Sequence, residues 1–476
     1  MKAKYIIVLL GIFSGSLLFG QKNFSLYHLK GIPQAVYVNP SFVPKSKIYL
    51  SLPLGMMNFG VSNSGFSFND LFTKRSDDSL VINTQKVLEE MDDLNYFNVE
   101  NSIELFGLGL KLKDMYINFN VSSKVQANFI YPKGLFQFAL EGNGKNFIGQ
   151  RASLDGIGIN LNAYTEIGFG ISKEISDKLS VGGRVKLLSG IANITTRETR
   201  LGIYTDPTTY ALTIDGFADI SSSNISQFYD DTISSSQTKM KNLQSSILNF
   251  ANKGFGLDLG ATYKVSDKLS VNASLVDLGS IRWSNNVTSY KTNEFEFTFE
   301  GVDLNEYFSE QENDSSGNRM LDDLKDSIPK MFNYEENNEA YSTSLYTKFY
   351  IGANYEITKA FNVGGVIINE FVKGKYRPGV SLAANVSLKS WLSATLNYSI
   401  YNKTYSNIGV GLSLRGGPIQ FYLMTDNVLA FTNTLNAKNV NLTGGMSIFI
   451  KERDKKKKEK TEVEGGGTNN NTPDKK

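Results

Sequence analysis

The chain has 476 residues, 41% hydrophobic and 12% aromatic, with 42 glycines, no cysteine, one histidine and a formal charge of +2. That composition excludes disulfides, thiolate metal sites and multi-histidine metal centres, and no cofactor motif is visible. Nine basic and six acidic residues in 451–476, with two lysines near the start, account for +5; residues 21–450 therefore carry −3, which offers nucleic acid no footing.

Met1–Gly20 reads as a secretory signal: Lys2 and Lys4, an apolar Tyr5–Phe13, then small residues before a cut after Gly20. Residues 21–47 contain Pro33, Pro40 and Pro44, which keep them out of a central strand. Ile48, Leu50, Leu52 and Leu54 alternate as a first strand in which Pro53 marks an edge or a break in pairing. An excursion over 62–98 with a helix at Gln85–Leu94 follows. Then come strands through Phe106–Leu112 and Ile117–Val125, joined at Lys113-Asp114.

After a second excursion, Tyr131–Leu154, the hexapeptide Ser-Asp-Lys-Leu-Ser-Val occurs twice, at Ser176–Val181 and Ser266–Val271. Each copy sits between runs of period-2 alternation, so its Asp-Lys pair closes an antiparallel hairpin. Between the copies, over Asn193–Lys253, the alternation weakens, and Met240–Phe250 is spaced as an amphipathic helix. Ser284–Tyr341 is the longest excursion, with an extended arm at Phe295, Phe297 and Phe299 and a helix at Leu321–Met331. Seven further alternating runs lie between Phe349 and Ile450, with tight turns at Thr358-Lys359, Lys389-Ser390 and Gly416-Gly417. The polar tail 451–476 cannot fold alone and is expected to be disordered in the periplasm.

Runs of about nine residues, with tight turns alternating with long excursions, point to an all-β protein. The expected architecture is a transmembrane antiparallel β-barrel of about 14 strands, with long extracellular loops and both ends in the periplasm of a Gram-negative bacterium. The expected division is a signal (1–20), an N-terminal plug segment (21–47), the barrel (48–450) and the tail (451–476). The apolar parity meets outer-membrane lipid. The other parity lines a lumen, where Tyr164, Glu166, Arg184, Lys186, Asp258, Lys264, Glu356 and Arg415 are the candidates for holding a solute head group. The same charges also fit a cross-strand ladder that keeps a polar interior paired. Trp283 and Trp391, near strand ends, are expected as interfacial aromatics.

Tyr37-Val38-Asn39-Pro40-Ser41-Phe42 resembles the Tyr-x-Asn-Pro-Ala signature of the FadL-like outer-membrane superfamily, with Ser41 in place of alanine. The longer pattern, Pro33-Gln34 through Asn39-Pro40 to Asn63-Ser64-Gly65-Phe66-Ser67 and Asn69-Asp70, resembles related Bacteroidota outer-membrane proteins of uncharacterised function. The resemblance implies a 14-stranded barrel, an N-terminal plug with Tyr37, Asn39, Pro40 and Phe42 as its gate, and passive passage of small hydrophobic or amphipathic molecules. The alternative is a non-transporting scaffold or secretion-accessory barrel that engages a protein partner through its extracellular loops. His28 has no serine and aspartate arrangement around it to suggest catalysis, and the paired aspartates in the loops lack the spacing of a calcium cage.

Overall fold

The computed structural model describes residues 23–29, 31–44, 46–225, 247–299, 334–372, 375–389 and 391–450. The expected signal, tail and Leu321–Met331 helix lie outside them.

The first wall strand comes in two pieces, β1 (Ile48–Ser51) and β2 (Met57–Asn63). A small hairpin, β3 (Phe72–Lys74) and β4 (Leu80–Ile82), precedes the wall strands β5 (Leu94–Leu112) and β6 (Met115–Pro132). The short β7 (Arg151–Ser153) leads to β8 (Gly158–Glu174) and the 27-residue β9 (Leu179–Thr205). Next are β10 (Leu212–Ser223), β11 (Asn252–Lys264) and β12 (Leu269–Trp283). Four short strands follow, β13 (Val287–Thr292), β14 (Phe295–Phe299), β15 (Tyr334–Asn337) and β16 (Tyr341–Ser344). Seven more complete the series: β17 (Thr347–Glu356), β18 (Phe361–Val372), β19 (Lys375–Leu388), β20 (Leu392–Tyr401), β21 (Thr404–Gly416), β22 (Ile419–Thr425) and β23 (Asn439–Ile450).

With β1 and β2 taken as one, fourteen of these form a closed antiparallel ring. Closure is made by Ile48 opposite both Ile450 and Leu110, and by Met57 opposite both Gly444 and Ile103. A closed ring leaves no edge strand and pairs every backbone group within the wall, as hydrocarbon requires. Outward side chains confirm the environment: Leu187, Leu382, Leu396 and Phe421 are each more than half exposed on the protein's surface. A continuous apolar exterior of this kind belongs against lipid, and the protein is an outer-membrane barrel. The inward parity is polar and buried, from Asn118, Asn120 and Ser122 on β6 to Asn397 and Ser399 on β20.

Three features depart from the sequence pattern. Ser51 faces Gly107 and Met57 faces Ile103, so the five residues Leu52–Met56 stand opposite three on β5. Pro53 thus marks a break in the first strand, and Leu52 and Leu54 are not part of a ladder. β9 continues unbroken to Thr205 and pairs with β10, although the alternation fades after Asn193. Register shifts at Ala163/Tyr164 and Asp219/Ile220 add one residue each; every extra residue swaps the parity, so a period-2 count loses the strand while its pairing persists. Finally, residues 247–250 form a turn and irregular chain, with Phe250 in a left-handed backbone (φ 51°), not the end of the helix expected at Met240–Phe250.

Helix α1 (Phe24–His28) lies inside the ring, before the wall begins. Helices α2 (Phe68–Leu71), α3 (Thr84–Glu90) and α4 (Lys133–Glu141) lie in the loops beyond β2 and β6. α3 starts where the Asn83 side chain accepts the Lys86 N–H, and it ends at Glu90, earlier than expected, because Leu94 already belongs to β5. Val87, Leu88, Met91 and Tyr131 form an apolar cluster there with Phe66 and Phe136.

Candidate functional site

Residues 23–44 cross the lumen and bond to wall strands on every side. Asp426, after β22, accepts the N–H groups of Phe24 (3.2 Å) and Ser25 (2.7 Å). Asn397 of β20 donates to the Ser25 hydroxyl at 2.9 Å, and Gln420 of β22 donates to the Gly31 carbonyl at 2.9 Å. Across the ring, Ser172 of β8 donates to the Pro40 carbonyl (2.5 Å) and Ser274 of β12 to the Val38 carbonyl (2.7 Å). The apolar side of the segment (Phe24, Leu26, Tyr27, Leu29, Ile32) packs with Val276, Tyr350, Val366 and Met424.

The four expected gate residues each have a defined place. The Tyr37 hydroxyl donates to Glu104 at 2.6 Å, and the Arg184 guanidinium lies 4.6 Å from its ring centroid, so one side chain spans from β5 to β9. The Asn39 Oδ1 accepts from the N–H (2.9 Å) and hydroxyl (2.7 Å) of Ser41, which folds Asn39-Pro40-Ser41 into a tight turn. Ser41 then meets Thr262 of β11 at 2.7 Å. Phe42 packs edge-on against Tyr27, which stacks on Tyr350. The wall makes room for this turn with glycine: a Cβ on Gly182 would collide with the Pro40 carbonyl, and one on Gly260 with the Asn39 side chain.

Next to Tyr37 lies a buried charge network. Arg184 pairs with Asp258 at 2.8 Å and reaches Glu166 at 3.4 Å. Lys186 pairs with Asp258 (2.7 Å) and Asp277 (2.6 Å), and Lys124 with Glu166 (2.6 Å). Three cations thus face three carboxylates. Arg184 stands directly opposite Asp258 in the β9–β11 register, whereas Glu166 stands opposite Leu188 in the β8–β9 register and meets Arg184 and Lys186 on the diagonal. Lys348, between Glu100 (3.8 Å) and Glu370 (3.6 Å), makes a second, looser group.

A cavity of about 70 Å³ separates the network from the N-terminal segment. Glu166, Lys186, Asp277 and Lys348 border it on one side, and Leu26, Val38 and Met56 on the other. That is room for about two waters. Glu104 lies beneath Tyr37, fully buried, and also accepts from the Tyr49 hydroxyl.

Other expected residues sit elsewhere. Tyr164 is buried, but in an apolar cluster with Leu188, Ile281 and Trp283. Trp283 is not interfacial: it is fully buried, its indole N–H donating to Thr343 at 2.8 Å, because β12 turns that position inward. Trp391 is half exposed just before β20, at the tight-turn end of the barrel. Lys264 and Glu356 are exposed at strand ends on that same rim, outside the chamber, and Arg415 lies there too, its guanidinium 4.2 Å from the Phe449 ring centroid. Their inward parity is correct, but they lie too near the turns to face the lumen's middle. His28 is buried in the segment, edge-on to Tyr27.

Lys124, Asp277, Lys348, Glu100 and Glu104 were not singled out in the sequence. Asp277 occupies a left-handed position (φ 58°) in the β12 irregularity, where parity fails, and Glu104 sits at the β5 register shift. The usable signal was the run of inward glycines and small polar residues (Ser172, Gly182, Gly260, Ser274, Gly352), which marks where another piece of chain fills the ring.

Among solved structures, the chain is similar to the toluene transporter TbuX of Ralstonia pickettii, with 10% identity over 91% of this chain and 99% of that chain and a TM-score of 0.42. It is also similar to the P. putida toluene transporter TodX (10% identity, 88% and 94% coverage, TM-score 0.38). A FadL homologue of Pseudomonas aeruginosa gives 8% identity, 90% and 93% coverage and a TM-score of 0.39. No curated protein matches the chain. Residues 40–426, from the proline of the lumenal turn to the aspartate that holds α1, match the family of unknown function DUF5723, and the chain belongs to that family.

Proposed function

We propose that this barrel lets small amphipathic molecules cross the outer membrane passively, with residues 23–44 as a movable closure. The observation that carries this reading is the two-sided chamber, with buried charge toward β8, β9 and β12 and apolar side chains on the N-terminal segment. Such a lining suits a solute with a polar head and an apolar body. The cavity is too small for a solute while the segment is in place, so passage needs the segment to shift. Its attachments are side-chain hydrogen bonds, apolar packing and one cation–π contact, and among the described residues no strand pairing holds it.

The break at Leu52–Met56 offers a second way out. Met56 faces the chamber, whereas Leu52 and Leu54 are half exposed toward lipid; a solute leaving sideways there would pass Glu104, whose buried carboxylate is held by the Tyr37 and Tyr49 hydroxyls. No energy-coupling motif is evident, and the driving force is the concentration gradient.

Proteoliposome flux and planar-bilayer conductance test the reading. Gly182→Val, whose side chain would displace the Pro40 carbonyl, is expected to raise both several-fold over wild type. Absence of flux in both proteins, with an intact barrel, would refute it.

A further inference from the structure

We propose that the outer face of β8, β9, β11 and β12 binds one anionic glycerophospholipid of the periplasmic leaflet, with its acyl chain in a wall groove and its phosphate on the lysines of the repeated turns.

The groove has a volume of about 580 Å³. Its floor is Gly183, Ala261 and Ala273, and its sides are Ile171, Leu259 and Phe349. All lie on the parity that faces lipid, so the groove is a dent in the apolar belt, continuous with the surface already in contact with hydrocarbon. Small floor residues let a chain approach the backbone closely.

The periplasmic end of the groove is basic. Lys173 lines it, following Phe169 and Ile171 on the outward parity of β8. A lysine there lays its stem along apolar surface and holds its ammonium at headgroup level. The two copies of Ser-Asp-Lys-Leu-Ser-Val add Lys178 and Lys268 on neighbouring turns, and the Lys264 N–H donates to the Lys178 carbonyl at 2.8 Å, which ties the two turns together. No carboxylate among the described residues forms an ion pair with Lys173, Lys178, Lys264 or Lys268; the nearby Glu174 is taken by Lys111 at 3.6 Å. On the outward parity and the turns, Lys173, Lys178 and Lys268 stand against the exposed Asp177 and Asp267, leaving a local charge of +1; Lys264 and Glu356, on the inward parity, cancel each other.

A second dent, between β17 and β21, serves as an internal comparison. It is larger, about 640 Å³, with Ala353, Gly365 and Ala384 in its lining, and no charged residue lines it. Of these two dents, only the first has a charged side chain in its lining, Lys173. Because Lys173 lies at the tight-turn end of the barrel, the headgroup comes from the inner leaflet, where glycerophospholipids face the periplasm.

The test uses the full chain folded in nanodiscs of equal phosphatidylglycerol and phosphatidylcholine, then transferred to detergent, with retained lipid identified by mass spectrometry. Wild type is expected to keep about one phosphatidylglycerol, with about tenfold preference over phosphatidylcholine. Glutamine at the three lysines (Lys173→Gln, Lys178→Gln, Lys268→Gln) is expected to remove the preference. Ala261→Leu with Ala273→Leu is expected to abolish retention, and Ala353→Leu with Ala384→Leu to leave it unchanged. Each variant's fold is checked by its gel mobility before and after boiling. Equal retention of the two lipids by wild type overturns the proposal, as does a preference that survives in the glutamine variant. Displacement of phosphatidylglycerol by equimolar lipid A overturns the leaflet assignment and the proposal with it.

Discussion

Arg184 shows how much a single inward side chain carries in a polar lumen. It is fully buried, pairs with Asp258, reaches Glu166 and covers the Tyr37 ring. Removing one partner of a buried pair strands the other charge away from water. Arg184→Ala should therefore cost about 3–5 kcal/mol of barrel stability, read as a lower urea midpoint of unfolding in detergent. An outward Leu382→Ala should cost far less, since Leu382 packs only against lipid. Trp283 teaches a related lesson: a strand-end indole looks interfacial by position, but the extra residue at the β12 register shift swaps the parity and turns it inward onto Thr343.

At the scale of elements, the loops are held by their own chemistry. α2 begins with a capping box in which Ser67 and Asp70 bond reciprocally, and Lys86 of α3 pairs with Asp70 at 2.8 Å. Burial opposes ionisation of Asp70, but the hydrogen bonds from Lys86 and Ser67 outweigh it and hold the carboxyl below its usual range. A depressed folded value means the stabilisation is complete above the unfolded carboxyl's value of about 4 and drains away as pH falls through the folded one. Hydrogen exchange should thus show α2 and α3 opening more readily below about pH 4 while β5 and β6 keep their protection. Unchanged exchange in α2 across that range would contradict the role given to the Asp70–Lys86 pair. The break between β1 and β2 is an element of a different kind. Leu54 holds a left-handed backbone (φ 87°), which a leucine tolerates only at a cost of about 1–2 kcal/mol. That cost falls at the break in pairing between β1 and β2.

For the molecule as a whole, the ring accounts for most of the stability, because fourteen strands pair all round with no edge. The protein should stay in the membrane pellet after alkaline carbonate washing, need detergent for extraction, and run faster on a gel unboiled than boiled. Recovery as a detergent-free soluble monomer would contradict the barrel. Its outline was legible in residue order: Ile157 through Ile171 and Leu179 through Leu187 alternate, and the Asp177-Lys178 and Asp267-Lys268 turns close hairpins, because a strand's two faces meet different media and the side-chain period reports that directly. The break at Pro53 was legible for a similar reason, since a missing N–H is a local property. The chamber was only half legible. Glu166, Arg184, Lys186 and Asp258 could be placed on the inner parity, yet their partners Lys124 and Asp277 could not, nor could the path of 23–44 across the ring. Ion pairs among β6, β8, β9 and β12 join residues 42 to 153 positions apart, and bulges shift the count in between. Local alternation determined which residues face inward; only closure of the ring decided which of them meet.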